Sequence, residues 1–257
     1  MKKIKPPVKA YDNQEFLHGH AGRMLRILSE FMEPAERFKD HFVNNTIVFF
    51  GSARSLPRAQ YSKKKLLPGE KREKGMVIAE ANEKCVLLAK KIAQWSNRIE
   101  DPAKRFAICT GGGPGMMGAA NRGATLGKGK SIGLNISLPF EQHPNPNVTP
   151  GLSFEFHYFF IRKFWFLYFA KALIAFPGGF GTFDEIFELL TLIQTRKLNK
   201  RVPIVLFGKT FWEEIFNFKA LVHYGVISKE DLDLFLVTDS VDEAFAYVTT
   251  RISKHYL

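Results

Sequence analysis

The stretch FPGGFGTFDE, residues 176–185, sets Gly178, Gly179 and Gly181 between two apolar runs and follows them with Asp184 and Glu185. Two other turns have the same character: FFGSAR, which holds Gly51 and Ser52, and CTGGGPGMMG, which holds Gly112, Gly113 and Gly115. Glycine lets backbone N–H groups come close to a ligand. A helix that starts at such a turn adds free donors and a partial positive charge. Neighbouring turns of this kind form a cradle for a phosphoryl group. A carboxylate at its mouth, Glu185, could stabilise a developing positive charge or activate water. The same residues admit a purely local reading. Thr182 as N-cap with Glu185 at the third helical position is a capping box, and the glycines then serve only tight turns.

The kind of phosphate ligand is narrowed by what the loops lack. Gly113, Gly115 and Gly118 match G-x-G-x-x-G, a weak signal alone. A dinucleotide site wants an acidic residue about 20 positions on for the ribose hydroxyls, and none lies between Ala119 and Phe140. No G-x-x-x-x-G-K-[ST] occurs either. A mononucleotide or a sugar phosphate fits better.

The elements that must position these turns alternate along the chain. A helix is expected over 12–33, from Leu17, Ala21, Met24, Leu25, Leu28 and Phe31, with Pro34 at its end. Six short apolar runs read as buried strands: TIVFF, RFAICT, SIGLNISLP, LIAFP, VPIVLFG and LFLVT. Between them come helical patterns. One carries Ala81, Cys85, Leu88, Ile92 and Trp95; others are YFFIRKFWFLYFAKA, FDEIFELLTLIQT, FWEEIFNFKALVHYG and the closing SVDEAFAYVTTRISKHY. Strand–helix alternation with near-continuous apolar strands means an α/β fold built on a single doubly wound parallel sheet. The expected organisation is an N-terminal helical extension over 1–44, then a Rossmann-like nucleotide-binding domain over 45–257 with a basic insertion at 57–75.

Composition narrows the partners. The chain of 257 residues carries a net charge of +12, and seven Lys/Arg stand against two Glu between Arg58 and Lys74. That segment holds one aromatic, Tyr61, so a stacking platform for single strands is not evident and nucleic acid is an unfavoured partner. The most hydrophobic stretch, FHYFFIRKFWFLYFAKALIAF, is interrupted by Arg162, Lys163 and Lys171, short of the roughly 20 apolar residues that span a membrane. The basic N-terminus has no apolar core of a secretory signal, and Cys85 and Cys109 sit in apolar patterns as buried free thiols. A cytoplasmic protein is expected. The histidines show no metal-ligand spacing, and no metal or cofactor is expected.

PGGFGTFDE matches the P-G-G-x-G-T-x-x-E signature of the LOG (Lonely Guy) family of nucleotide phosphoribohydrolases, whose members often carry the label lysine decarboxylase. An Arg-Lys pair, Arg162 and Lys163, lies 15 residues before Pro177, as in that family. TGGGPGMMGAANRGA and FGSAR resemble its earlier turns, and the resemblance covers roughly residues 46–237, closer to the longer bacterial members. It implies hydrolysis of the N-glycosidic bond of a nucleoside 5′-monophosphate, AMP-like or a cytokinin riboside monophosphate, to free base and ribose 5-phosphate. Arg162 and Glu185 would be catalytic. Gly178, Gly179, Gly181 and Thr182 would hold phosphate, with Gly51, Ser52, Gly112, Gly113 and Gly115 in the accompanying loops. Lys163 and Glu141 would contact substrate. The family also implies a homodimer or larger homo-oligomer with the site near its interface, which the Phe- and Trp-rich helix after His157 would suit. A decarboxylase would need pyridoxal phosphate on a lysine, and the signature loops hold none. The alternative is a non-catalytic nucleotide or cofactor carrier on the same fold.

Overall fold

In the computed structural model, which describes residues 7–63, 70–139 and 143–257, seven strands form one sheet. They are β1 (Asn45–Phe50), β2 (Phe106–Thr110), β3 (Ser131–Ile136), β4 (Ser153–Phe156), β5 (Ala170–Ala175), β6 (Ile204–Phe207) and β7 (Phe235–Thr238). All neighbours pair in parallel, in the order β4-β3-β2-β1-β5-β6-β7. Residues of β2, β3 and β6 are buried throughout. Helices cover both faces, so even the polar residues of these strands, Thr110, Ser131 and Asn135, are buried. The edge strand β4 is the exception: Phe154 and Phe156 are buried while Ser153 and Glu155 are exposed. Its short, half-polar run carries too little apolar signal to stand out, and it is the strand missing from the six expected.

The helices are α1 (Gln14–His18), α2 (Arg23–Asp40), α3 (Arg58–Lys63), α4 (Glu70–Asn97), α5 (Met116–Leu126), α6 (Phe159–Tyr168), α7 (Phe180–Gln194), α8 (Lys209–Ile215), α9 (Phe218–His223) and α10 (Val241–Tyr256). One core contains Phe38 of α2, Trp165 of α6, Ile186 of α7 and Trp212 of α8 against one face of the sheet. The other contains Leu88 of α4, Ala120 of α5 and Val248 of α10 against the opposite face. No helix among the described residues is long and apolar enough to cross a membrane.

Several boundaries differ from expectation, each for a local reason. The N-terminal helical pattern is two helices, and α2 continues past Pro34 to Asp40. A proline inside a helix strips the carbonyl four residues earlier of its donor. Here the Glu30 carbonyl instead accepts from Trp165 Nε1 at 2.9 Å. Of the apolar residues that marked this helical pattern, Met24, Leu25 and Leu28 are exposed, while Phe31 packs on Phe164. Arg58–Lys63 is helix α3 and α4 begins at Glu70, so the basic segment is in large part helical rather than a loop; 64–69 lie outside the described residues. The aromatic helix stops at Tyr168 and β5 starts at Ala170, so the sequence AKA belongs to the strand. FWEEIFNFKALVHYG divides into α8 and α9, with Asn217 capping α9 through Ala220 N.

The glycines after the first glycine loop serve helix packing. A Cβ at Gly123 would lie 2.7 Å from Ala89 Cβ and against the Val86 carbonyl oxygen of α4. Gly123→Ala, which an isolated helix would favour by about 1 kcal/mol, is expected to destabilise the protein by about 1–3 kcal/mol through overpacking. A lowered midpoint of urea unfolding checks this.

Candidate active site

A cleft of about 660 Å³ opens at the carboxyl ends of the strands. Strand order reverses between β1, which leads to β2, and β5, which leads to β6 on the other side. At such a switch point the turns diverge and leave a crevice, the usual ligand position in doubly wound sheets. The turn after β1 supplies Gly51, Ser52 and Arg54, and the turn after β5 supplies Gly178, Gly179, Gly181 and Thr182. Arg162 and Glu185 line the same cleft.

Glu185 is not part of a capping box. Helix α7 has Gly179 as its N-cap, with no side chain accepting from its first turn. Thr182 and Phe183 donate backbone N–H to the Gly179 carbonyl at 2.9 and 3.1 Å. Thr182 therefore sits inside the helix, and Glu185 lies in its second turn, 2 % exposed. An uncapped amino end keeps free donors and the positive end of the helix dipole at the cleft. A Cβ added at Gly179 or at Gly181 would meet no atom within 4 Å, so both glycines border open space.

Helical geometry sorts the charged residues. Adjacent positions on a helix point about 100° apart, whereas positions three or four apart share a face. On α6, Phe159, Arg162 and Phe166 share the cleft face, and the Arg162 guanidinium lies 5.0 and 5.5 Å from the two ring centroids. Lys163 points elsewhere. Its Nζ pairs with Asp184 at 2.7 Å and with Glu188 at 3.0 Å, residues that share a face of α7. Lys163 thus lies outside the walls of the cleft expected to use it, and ties α6 to α7 instead.

The Glu185 carboxyl is electrostatically unusual. Its Oε2 is buried with no hydrogen-bond partner. Burial pushes its pKa up to about 7, against the opposing pull of Lys163 and Arg162 and with help from Glu188 and Asp184. Arg162 Nε is likewise buried without a partner, and burial lowers the guanidinium's pKa while Glu185 and Asp184 raise it. A buried carboxyl and a buried guanidinium nitrogen, both lacking protein partners in a cleft, are placed to bind something else.

The first glycine loop contributes less directly. Gly111 borders the cleft, while Gly112, Gly113 and Gly115 do not. Gly115 has φ 68°, and a Cβ there would lie 2.5 Å from the Ala53 carbonyl oxygen; Met116 N donates to Ser52 O at 3.0 Å. The loop thus braces the β1 turn from behind. A buried polar network holds it. Asn145 Nδ2 donates to the carbonyls of Gly112 and Gly113 at 2.9 and 3.1 Å and to Asn121 Oδ1 at 2.9 Å, and Thr110 Oγ1 donates to Asn121 at 2.7 Å. Asn121 and Asn145 were not expected; the polar residue at a buried helical position, in GAANRGA, is the signal that marks the first. Arg54 was also missed, though it stands in FGSAR. Glu141 falls outside the described residues.

A family model described as "Possible lysine decarboxylase" matches residues 117–248, just over half of the chain. A curated relative, the pyrimidine/purine nucleotide 5′-monophosphate nucleosidase of Escherichia coli strain K12, is 31% identical over 119 residues, which are 41% of this chain and 25% of that protein. The same enzyme from Escherichia coli O157:H7 matches equally. The chain therefore spans only about a quarter of the length of these relatives. Among solved structures, the Moco carrier protein of Chlamydomonas reinhardtii is 21% identical with a TM-score of 0.49, over 82% of this chain and 99% of that one. The molybdenum cofactor binding protein of Rippkaea orientalis is 16% identical with a TM-score of 0.49, over 80% and 95%. The matched span takes in both the Arg-Lys pair and the glycine signature, and the chain belongs to the LOG-like family described as possible lysine decarboxylases.

Proposed function

We propose that the protein hydrolyses the N-glycosidic bond of a nucleoside 5′-monophosphate, releasing free base and ribose 5-phosphate, with AMP as the reference substrate. The observation that carries this reading is the buried, unpartnered Glu185 carboxyl sharing a cleft with Arg162 and an uncapped helix end. The 5′-phosphoryl group sits on the α7 amino end, where Gly179 and Gly181 leave room and the first-turn amides donate. Arg54 and Arg162 supply positive charge from the cleft walls. This places the anomeric carbon beside Glu185. As the C1′–N bond breaks, the base leaves with the electron pair and takes up a proton, and the sugar becomes oxocarbenium-like. Ionised Glu185 stabilises that charge and draws the proton from the water whose oxygen bonds to C1′. Arg162 stays protonated, so it acts on phosphate or on the leaving base rather than as a base. The apolar walls, among them Phe50, Ile136 and Phe166, receive the base.

The protein works as a homodimer or larger homo-oligomer in this reading. Phe180, in the signature itself, is 92 % exposed, and Phe160, Phe164, Tyr168 and Phe187 are exposed as well. Three of them, Phe160, Phe164 and Tyr168, line one surface depression, and clustered exposed aromatics mark association surfaces. Light scattering should give at least twice the 29.3 kDa chain mass; a monomer at micromolar concentration would refute it.

The first test is chromatographic detection of adenine released from AMP. Glu185→Gln should lower kcat by roughly 10²–10⁴-fold; retention of more than about a tenth of wild-type turnover would remove Glu185 from the mechanism, and AMP binding with no release by the wild type would leave a carrier. Because the carboxylate must be ionised, kcat/KM should rise with pH through about 7 and then level. Stability runs the opposite way. The folded-state pKa of about 7 exceeds the ordinary 4.5, so the native state holds a proton that the unfolded chain releases, and stability falls as pH rises between those values. Glu185→Gln should therefore be more stable than wild type above pH 7, by on the order of 2–3 kcal/mol, with no gain below about 4.5. Thermal unfolding at pH 4 and pH 8 reads this out. Gly181→Ala fits the free protein and should keep its melting temperature while raising KM for AMP at least about tenfold, since the Cβ intrudes where phosphate sits.

A further inference from the structure

We infer that Glu30, in the N-terminal helix α2, is a positioning residue that sets the helix carrying Arg162; this rests on the function proposed above. Glu30 makes three hydrogen bonds to the α6 region. Its Oε1 accepts from His157 N at 2.8 Å and its Oε2 from Tyr158 N at 3.2 Å. Its backbone carbonyl accepts from Trp165 Nε1 at 2.9 Å. Tyr158 is the N-cap of α6, and its own side chain caps nothing. The amino end of a helix leaves its first N–H groups without partners, and a carboxylate there satisfies them and opposes the positive end of the dipole. Glu30 supplies, from another helix, acceptors for the N–H groups of the α6 N-cap residue and of the residue before it.

The third bond exists because of Pro34. Without an N–H at position 34, the Glu30 carbonyl has no intrahelical donor, and Trp165 fills the vacancy two turns down α6. One residue therefore holds the chain where it enters α6 and again near the end of that helix. Arg162 lies between the grips, and its own N–H bonds the Tyr158 carbonyl at 3.2 Å. Aromatic packing of Phe31 on Phe164 and of Phe38 on Trp165, with centroids 5.2 and 5.4 Å apart, closes the gap between the helices. Glu30 does not line the cleft, so it acts on the reaction only through the place of α6. Misplacing a catalytic group by a fraction of an ångström to an ångström costs turnover more than ground-state binding.

The experiment compares Glu30→Ala, Glu30→Gln and, as a control on the same helix, Glu33→Ala. The Glu33 carboxylate pairs with Arg37 of the same helix. Two readouts are taken: kcat and KM for AMP, and hydrogen exchange of the amides of residues 157–162. Glu30→Ala should lower kcat about tenfold, should raise KM as well because Arg162 also serves the phosphate, and should speed exchange at 157–162. Glu30→Gln, which keeps one acceptor oxygen, should recover part of both, and Glu33→Ala should leave both near wild type. Wild-type kcat and protection in Glu30→Ala, or equal losses in Glu33→Ala, would overturn the inference. If the wild-type protein releases no base from AMP, the proposed reaction fails, and exchange at 157–162 alone decides whether Glu30 holds α6.

Discussion

The ion triad of Lys163 with Asp184 and Glu188 is the contact on which the arrangement of the cleft turns. It joins α6 and α7, the helices on either side of β5 in the chain. The Lys163 side chain is only 18% exposed and Glu188 33%, so that pair is less screened by solvent than the one to Asp184, whose side chain is 60% exposed. Because neighbouring residues on a helix point about 100° apart, locking Lys163 to Asp184 leaves Arg162 and Glu185 facing the cleft rather than that contact. Two adjacent basic residues and two adjacent acidic ones are thereby divided into a structural set and a cleft set. With Lys163 fully occupied, the ionisable groups left in the cleft wall have no protein partner.

That division carries a thermodynamic cost. A carboxyl removed from water without a hydrogen-bond partner disfavours its charged form, and the neighbouring cations only partly offset the penalty at Glu185. The fold tolerates it because the sheet beneath is buried on both faces and packed by two separate cores. Unpaired polar groups at this density are otherwise rare in native proteins. Their presence at a topological switch point, beside an uncapped helix end, is what separates this cleft from the other depressions of the surface.

Much of this was legible in the sequence. Six of the strands show as near-continuous apolar runs, most of them because both of their faces are buried, and parallel order follows from helices between them. The signature loop, the β1 turn, Arg162 and Glu185 meet in the cleft because turns after parallel strands converge at one edge of the sheet. What could not be read depends on angles and on distant partners. The facing of Lys163 depends on which turn of α7 it meets. The role of Gly115 and Gly123 in close packing, rather than in ligand contact, depends on the approach of α4 and of the β1 turn. The continuation of α2 through Pro34 depends on a tryptophan more than a hundred residues away.

That last pairing has an evolutionary corollary. A lineage that replaced Trp165 while keeping Pro34 would strand a main-chain oxygen in a partly buried setting, whereas one that replaced Pro34 first would regain an ordinary helical bond and release the indole from its duty. Substitutions at these two positions are thus ordered, with the imino acid free to change before the aromatic. Drift at the N-terminal helix and drift beside the arginine are not independent events.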